Sequence, residues 1–194
     1  LLIEQARLGK SSMIMTGHYC NWEWTSVICL HLPPDLPACP VYKELRDKHF
    51  DGLMLRLRNR YGAIGIEKNN IIRKMFEMRK AGEKGIFGMI SDQSPGAKSI
   101  RYTMPFLHQD TPVFLGTEQL AKKYDYPVFY LDIERVKRGY YLAKVKPITT
   151  EPVHTAEYEI TTKFMQMLEQ SIQERPEFWL WSHNRWKHSK KTAV

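Results

Sequence analysis

The sequence has few cysteines and no long apolar run. Its 194 residues include only three cysteines (Cys20, Cys29 and Cys39), and no two of them form a Cys-x-x-Cys pair. An odd number of scattered thiols argues against a disulfide framework and is typical of proteins from a reducing compartment. No apolar run approaches the ~20 residues that a membrane-spanning helix requires, and no signal peptide is visible. These features exclude the disulfide-rich secreted class.

Familiar site motifs are absent as well. The sequence contains neither the Gly-x-Ser-x-Gly of serine hydrolases nor a Gly-rich loop ending in Gly-Lys-Ser/Thr. Histidines and cysteines do occur between positions 18 and 39, but their spacing does not match a tetrahedral set of paired ligands. We therefore predict no metal site and no bound cofactor.

What the sequence does have is an excess of positive charge. It carries 29 basic and 21 acidic residues, which gives a formal net charge of +8. Such an excess favours an anionic partner, which could be phospholipid headgroups, an acidic carrier protein, a phosphorylated ligand or nucleic acid. The hydrophobic content of 43% and charged content of 26% are ordinary for a globular fold.

Strands and helices alternate along the predicted chain. Short apolar or alternating runs predict strands at 13–15, 40–42, 85–90, 127–133 and 140–145. Helical spacing of apolar residues predicts helices at 24–32, 50–61, 71–82, 112–124 and 155–174. This alternation predicts a single α/β domain over residues 1–194, with a mixed, mostly parallel sheet flanked by helices.

The stretch 16–23, Thr-Gly-His-Tyr-Cys-Asn-Trp-Glu, joins the first predicted strand to the first long predicted helix. Asn21 is a plausible N-cap, which would place Glu23 in the first helical turn. With His18 in the loop before the cap, its ring can fold back onto the Glu23 carboxylate. A base with an orienting acid beside a helix N-terminus suits acyl transfer. On spacing alone, a loop histidine beside a capping glutamate is the more common explanation of this stretch.

Two further groups of polar residues are candidates for a site. Asp92 and Gln93 directly follow a predicted buried strand, and ligands of open α/β sheets lie beyond the carboxyl ends of strands. Since His18 also follows a strand, His18 and Asp92 are expected to share one cleft, although an ordinary Asp turn remains open. Arg56, Arg58 and Arg60 either present a guanidinium to phosphate or belong to a solvated helix face.

The C-terminal stretch 176–187 combines three tryptophans with basic residues. Such a stretch can stack on nucleic-acid bases, lie at a membrane interface, or dock its tryptophans into the core. The sequence leaves these three alternatives open.

Taken in order, these blocks resemble the bacterial lipid A late acyltransferase family, within the wider lysophospholipid acyltransferase group. The stretch from His18 to Glu23 resembles the family's His-x-x-x-x-Glu block in its Cys-Asn-Trp-Glu form. The other three blocks are a basic block at 41–43 and 57–62, an Asp-Gln block at 91–96 with 105–106, and the C-terminal Pro-Glu-x-Tyr-Leu-Trp-x-His-x-Arg-Phe-Lys signature at 176–187.

The resemblance implies a glycerolipid acyltransferase-like fold and an acyltransferase activity. It implies transfer of a fatty acyl group from a thioester to a hydroxyl of a membrane lipid, such as a lipid A precursor. His18 would be the general base, and Glu23 would orient its ring. The remaining implied site residues are Asn21 near the oxyanion donors, Arg58 and Arg60 on a phosphate, Asp92 and Gln93 on the donor side, and Arg185 as a further substrate ligand.

Three departures from related patterns are informative. Glycerolipid acyltransferases of the superfamily usually carry Asp at the position of Glu23 and a Pro-Glu-Gly-Thr-Arg block that this sequence lacks, which favours the lipid A branch. The family's Phe-Phe-Gly is Phe106-Leu107-His108 here. The family's N-terminal hydrophobic anchor is also missing, so we expect a segment upstream of Leu1.

The resemblance implies acyl carrier protein or acyl-CoA as the donor, a membrane lipid as the acceptor and an anionic membrane surface as a partner. It places the protein at the cytoplasmic face of the bacterial inner membrane, either peripheral or anchored through the missing segment. An aminolipid or lysophospholipid O-acyltransferase of the same fold is the first alternative. A non-enzymatic binder of single-stranded nucleic acid is a distant one, because aromatic and basic residues are interleaved only in the tail.

Overall fold

Helices and strands alternate through most of the computed structural model, which describes residues 1–188. The helices are α1 (Leu2–Arg7), α2 (Lys48–Asn59), α3 (Ile71–Lys80), α4 (Gly116–Tyr124) and α5 (Glu159–Glu174). The strands are β1 (Ser12–Thr16), β2 (Ala38–Tyr42), β3 (Ile66–Glu67), β4 (Ile86–Ile90), β5 (Thr103–Phe106), β6 (Gln109–Pro112), β7 (Val128–Lys137) and β8 (Tyr140–Thr149). Short 3₁₀ helices occur at 68–70, 97–99, 152–154 and 176–178, and a longer one at Trp22–His31.

Six strands form the main sheet, in the order β3-β2-β4-β1-β7-β8. Strand β2 is parallel to both β3 and β4, with Val41 opposite Ile66 and Cys39 opposite Phe87. Strands β7 and β8 are antiparallel. The predicted α/β class, with a mixed and mostly parallel sheet flanked by helices, is thereby confirmed. Among the described residues, no helix is both long and apolar enough to cross a membrane.

The chain divides into two compact units, of which unit 1 comprises Leu1–Ile14 and Glu23–Met89. Its interior is formed by the strands and by one side of α3, with Met13, Cys39, Met75, Met78, Ile86 and Phe87 buried. Gly85 precedes β4 where the packing is tight, because a Cβ at this position would lie 2.8 Å from Cε of Met78.

Helices α2 and α3 lie on opposite faces of the unit 1 sheet. The connection from β2 to β3 carries α2 outward by one strand, whereas the connection from β3 to β4 carries α3 back across β2. Because crossovers between parallel strands are almost always right-handed, connections in opposite directions place their helices on opposite faces.

Unit 2 comprises Met15–Trp22 and the described chain from Ile90 onward. Its core lies between β7 and α5, where the Tyr130 and Phe164 rings meet edge to face at 6.0 Å. The Tyr130 hydroxyl also hydrogen-bonds to that of Ser171 at 3.0 Å. The buried Glu118 of α4 accepts hydrogen bonds from the backbone N–H and the hydroxyl of Thr161, which fixes the start of α5.

Two predicted elements differ from those observed. The helix expected at 24–32 is a 3₁₀ helix, Trp22–His31, without a buried residue. Between residues 90 and 112, where no strand was predicted, the structure has the hairpin β5–β6, whose two turn residues, Leu107 and His108, have φ of 51° and 60°. Two positive φ angles in a two-residue connection are typical of the type I′ turn, which matches the twist of paired strands.

Candidate active site

The loop that follows β1 carries His18, and Gly17 lets this loop pass through a narrow gap. A Cβ at Gly17 would lie 2.8 Å from Cδ1 of Leu168 on α5 and 3.4 Å from Oδ2 of Asp92. With any larger residue at position 17, either the Leu168 side chain or the loop would have to shift. The sequence therefore has glycine where the backbone packs closely against the side chain of Leu168.

His18 and Asp92 meet at the ends of their strands, as predicted. Nδ1 of His18 lies 2.6 Å from Oδ1 of Asp92, and the backbone N–H of His18 donates to Oδ2 at 3.0 Å. The two residues are 74 positions apart in the sequence. The strands β1 and β4 each end immediately before this pair of loops, so the expected proximity of His18 and Asp92 is confirmed.

The Asp92 carboxylate is buried and ionised. The residue is 2% exposed, and burial alone would raise its pKa. Hydrogen bonds from the His18 ring, from Nε1 of Trp179 at 2.9 Å and from the His18 backbone outweigh that effect, so the pKa of Asp92 is lowered. Three donors converging on one buried carboxylate hold it in a single orientation.

The ionised Asp92 sets the tautomer of His18. A carboxylate only accepts hydrogen bonds, so Nδ1 of the neutral ring carries the proton and Nε2 carries the lone pair. The side-chain nitrogen of Gln93 lies 3.3 Å from this Nε2 and donates to it. Trp22 contacts the ring edge to face at 5.3 Å. His18 therefore presents a basic nitrogen whose present partner is a neutral amide that a hydroxyl can replace.

The C-terminal stretch packs directly behind this pair. Its backbone pairs with the His18 loop, since Cys20 N–H donates to the Phe178 carbonyl and Leu180 N–H donates to the His18 carbonyl. Trp179 is buried and bonded to Asp92. Of the alternatives left open for this stretch, docking into the core is the one that holds for Trp179.

His183 fixes the loop that carries Asp92 and Gln93. Its Nε2 accepts the backbone N–H of Ser94 at 3.1 Å, which requires a neutral ring. Burial lowers the pKa of His183, and the nearby charges of Lys187 and Arg185 lower it further. The ring is therefore held in the state that can accept this hydrogen bond.

Arg185, a predicted substrate ligand, is 1% exposed. Its Nη1 donates to the Pro112 carbonyl at 2.7 Å, while Nε and Nη2 have no partner among the described residues. Burial lowers the pKa of Arg185 to about 10, so the guanidinium remains charged at neutral pH. Substrate binding by Arg185 stays a prediction, and what the structure itself shows is a buried cation tied to the end of β6.

Glu23 lies in unit 1, where it pairs with Arg58 of α2. Nε and Nη2 of Arg58 donate to the two Glu23 oxygens at 3.0 and 2.7 Å, a bidentate arrangement. The Arg58 guanidinium also lies over the Tyr42 ring, 6.0 Å from its centroid. The expected contact of Glu23 with the His18 ring is wrong: Nδ1 of His18 donates its hydrogen bond to Asp92, and Arg58 donates to both oxygens of Glu23.

Asn21 and Arg60 are the two remaining predicted site residues. Asn21 is half-buried and directly precedes the 3₁₀ helix that begins at Trp22. Arg60 is exposed just after α2, with its guanidinium 5.6 Å from the Tyr61 ring centroid. Their substrate-binding roles stay predictions.

Reasoning from the sequence missed Trp179 and His183 as supports of the site. Both belong to the C-terminal signature, whose residue types were noticed but whose partners lie about 90 positions away. Local spacing contains no signal for such a contact. An indole, an imidazole and an arginine in one short segment are the only hint that the sequence contains.

Comparison with known proteins identifies the family. The sequence model described as bacterial lipid A biosynthesis acyltransferase matches residues 2–188. No curated protein matches the chain. The match spans nearly the whole sequence and includes all four blocks, His18 and Asp92 among them, so the chain belongs to the bacterial lipid A biosynthesis acyltransferase family and is an acyltransferase.

Proposed function

We propose that this acyltransferase moves a fatty acyl group from an acyl carrier protein thioester to a hydroxyl of a lipid A precursor, at the cytoplasmic face of the bacterial inner membrane. The observation that supports it best is the His18–Asp92 pair, in a chain of the lipid A acyltransferase family. The hydrogen-bonding geometry of this pair suits a general base for a hydroxyl.

The proposed reaction uses His18 twice. Nε2 of His18 removes the proton of the acceptor hydroxyl as its oxygen attacks the thioester carbonyl. The tetrahedral intermediate then collapses, the C–S bond breaks, and the imidazolium returns the proton to the departing thiolate. Asp92 remains ionised throughout, because its role is to hold the ring and to stabilise the imidazolium.

Other predicted residues have supporting roles in this proposal. Backbone N–H groups near Asn21 and Trp22, at the start of the 3₁₀ helix, are the candidate donors to the oxyanion. The side-chain amide of Gln93 donates to Nε2 of His18 until the hydroxyl of the acceptor lipid replaces it there. Arg58, held in one orientation by Glu23, and Arg60 are the candidate ligands of a lipid phosphate.

The decisive experiment replaces the base. We expect His18→Ala to lower acyl transfer on the order of 10²–10⁴-fold, the usual contribution of a positioned general base. Transfer from acyl carrier protein to a lipid A precursor is measured by mass spectrometry of the product, and the thermal midpoint confirms folding. His154→Ala is the matched control, since His154 is exposed on a short 3₁₀ helix. A well-folded His18→Ala protein with near wild-type transfer would contradict the proposal.

The acceptor is tested in the same assay. The proposed lipid A precursor is compared with a lysophospholipid and an aminolipid at equal concentration. We expect the largest kcat/KM for the lipid A precursor, because Arg58 and Arg60 offer guanidinium groups for its phosphates. A preference for the lysophospholipid or the aminolipid would reassign the acceptor and leave the catalytic pair in place.

A further inference from the structure

Helix α2 turns its apolar side toward solvent. None of its twelve residues is fully buried. Phe50, Leu53 and Leu57 are 53%, 42% and 48% exposed, and their spacing of three and four places them on one stripe. A helix of a globular protein ordinarily buries such a stripe against the core. The apolar stripe of α2 therefore lies where another surface can cover it.

Positive charge borders the apolar stripe. Arg56 lies in α2 beside Leu53, and Arg60 follows one turn later, both exposed. Arg46 is exposed just before the helix begins. Long basic side chains beside an exposed apolar stripe are typical of helices that lie flat in the headgroup region of a bilayer. Charge complementarity thus selects an anionic lipid surface over a neutral one.

The opposite edge of α2 faces the protein. Asp51, on that edge, accepts the backbone N–H of Leu45 at 2.8 Å, and Arg58 binds Glu23 through two hydrogen bonds. The helix is thus fixed to unit 1 by polar contacts while its apolar stripe stays outside. A helix is about 10–12 Å across with its side chains, so a bilayer under the stripe lies within that distance of Arg58.

We infer that α2 is the membrane-docking element of this protein, with the stripe Phe50, Leu53 and Leu57 inserted among anionic phospholipid headgroups. This inference rests on the proposed function, since it supplies the surface on which the lipid acceptor is found. It assigns the positive charge of Arg46 and Arg56 to lipid phosphates and leaves Arg58 to the substrate.

The test is partitioning of the 194-residue chain onto vesicles of phosphatidylethanolamine with phosphatidylglycerol. We expect Leu53→Ser with Leu57→Ser to lower the partition coefficient about tenfold or more, because two half-exposed leucines lose their burial in lipid. Arg56→Gln should lower it about fivefold at low salt, and the difference should shrink as salt is raised.

Helix α3 supplies matched controls because it lies on the other face of the sheet. Ile72 and Phe76 are 53% and 59% exposed there, and Lys80 is exposed at the end of the helix. A flat bilayer cannot contact both faces. Ile72→Ser with Phe76→Ser, and separately Lys80→Gln, are therefore expected to bind vesicles like the wild type. Equal losses in the α2 and α3 variants would overturn the inference.

Activity separates this inference from the proposed function. The Leu53→Ser, Leu57→Ser protein should lose transfer to acceptor embedded in vesicles and keep wild-type transfer to acceptor dispersed in detergent micelles. A loss in both assays would overturn the docking role.

Three binding results would also overturn the docking role. They are wild-type partitioning of this variant, equal binding of the wild type to neutral and anionic vesicles, and binding of the stripe to acyl carrier protein instead of vesicles. A wild-type chain that binds vesicles but transfers no acyl group would instead count against the proposed function alone.

Discussion

Asp92 and Glu23, the two carboxylates that the proposed reaction uses, have different hydrogen-bond partners. Asp92 accepts a hydrogen bond from Nδ1 of His18, while the two oxygens of Glu23 accept hydrogen bonds from Nε and Nη2 of Arg58. The two acids therefore support different parts of the proposed reaction. Asp92 acts on the base, and Glu23 fixes a guanidinium that is a candidate ligand of the lipid phosphate.

This division predicts different kinetic effects for two isosteric substitutions. Asp92→Asn should lower kcat on the order of 10²–10⁴-fold, because a neutral amide neither fixes the tautomer of His18 nor stabilises the imidazolium. Glu23→Gln should mainly raise KM for a phosphorylated acceptor, because Arg58 loses its charged partner. Steady-state kinetics with the acceptor varied gives both parameters for each protein.

The opposite kinetic result would assign the orienting role to Glu23. If Glu23→Gln lowers kcat with KM unchanged, while Asp92→Asn stays active and folded, Glu23 is the orienting acid after all. The thermal midpoint of each variant shows whether the fold is intact. Arg58→Lys serves as the companion to Glu23→Gln, since it keeps the charge and removes the bidentate geometry.

His183 predicts a specific dependence of stability on pH. Its pKa is lowered from 6.5 by burial and by neighbouring cations, so the unfolded chain binds its proton more readily than the folded one. Stability from this group is therefore fully present above about pH 6.5 and is lost as the pH falls below it, toward the folded pKa. Urea unfolding midpoints between pH 5 and 8 measure this loss.

His183→Gln is the matching variant, since an amide oxygen can accept the Ser94 N–H and does not titrate in this range. We expect the difference between wild type and His183→Gln to change with pH below about 6.5 and to be constant above it. Parallel curves throughout would show that His183 contributes nothing to the pH dependence. Other histidines contribute equally to both proteins and cancel in the difference.

At the scale of elements, the turn between β5 and β6 shows where the sequence misleads. Leu107 and His108 both adopt left-handed backbone angles that glycine and asparagine tolerate best. The Leu107 N–H donates to Glu169 of α5 at 2.7 Å, a tertiary contact that helps to hold this turn. Without a glycine or asparagine in the turn, the sequence gives no hairpin signal.

This turn predicts the effect of two substitutions at an exposed position. His108→Gly should stabilise the protein by about 0.5 kcal/mol, because the relief of left-handed strain exceeds the added entropy of the unfolded chain. His108→Val should destabilise it by about 1–2 kcal/mol, because a branched side chain is disfavoured at positive φ. Chemical unfolding of both variants measures the two values. The reverse order would show that His108 makes a favourable contact that outweighs its backbone strain.

Elements whose signal is local were predicted from the sequence, and contacts between distant segments were not. The apolar runs of β1 and β4 placed His18 and Asp92 at strand ends, and this was enough to bring them together. That Asp92 and not Glu23 bonds to the His18 ring depends on a contact between residues 74 positions apart. Trp179, near the end of the chain, donates a further hydrogen bond to Asp92. Such contacts follow from tertiary packing, so spacing within one segment could not reveal them.

At the scale of the whole molecule, the net charge of +8 is the property that the fold alone does not require. Charge of one sign raises the local concentration of oppositely charged partners and speeds their association. The proposed function has two such partners, an acidic carrier protein and an anionic lipid surface. The docking proposal assigns part of the charge, around α2, to the lipid.

The remaining charge predicts that the donor is recognised electrostatically. We expect kcat/KM for acyl carrier protein thioester to fall tenfold or more as ionic strength rises from about 0.01 to 0.15 M, because the screening length shortens from about 30 to 8 Å. An acyl thioester of an uncharged pantetheine analogue should show almost no change over the same range. Both donors are assayed with acceptor in detergent micelles, so that membrane binding does not contribute to the salt effect. If the two donors respond equally, electrostatic attraction does not select the carrier, and its recognition must depend on the pantetheine arm and the acyl chain.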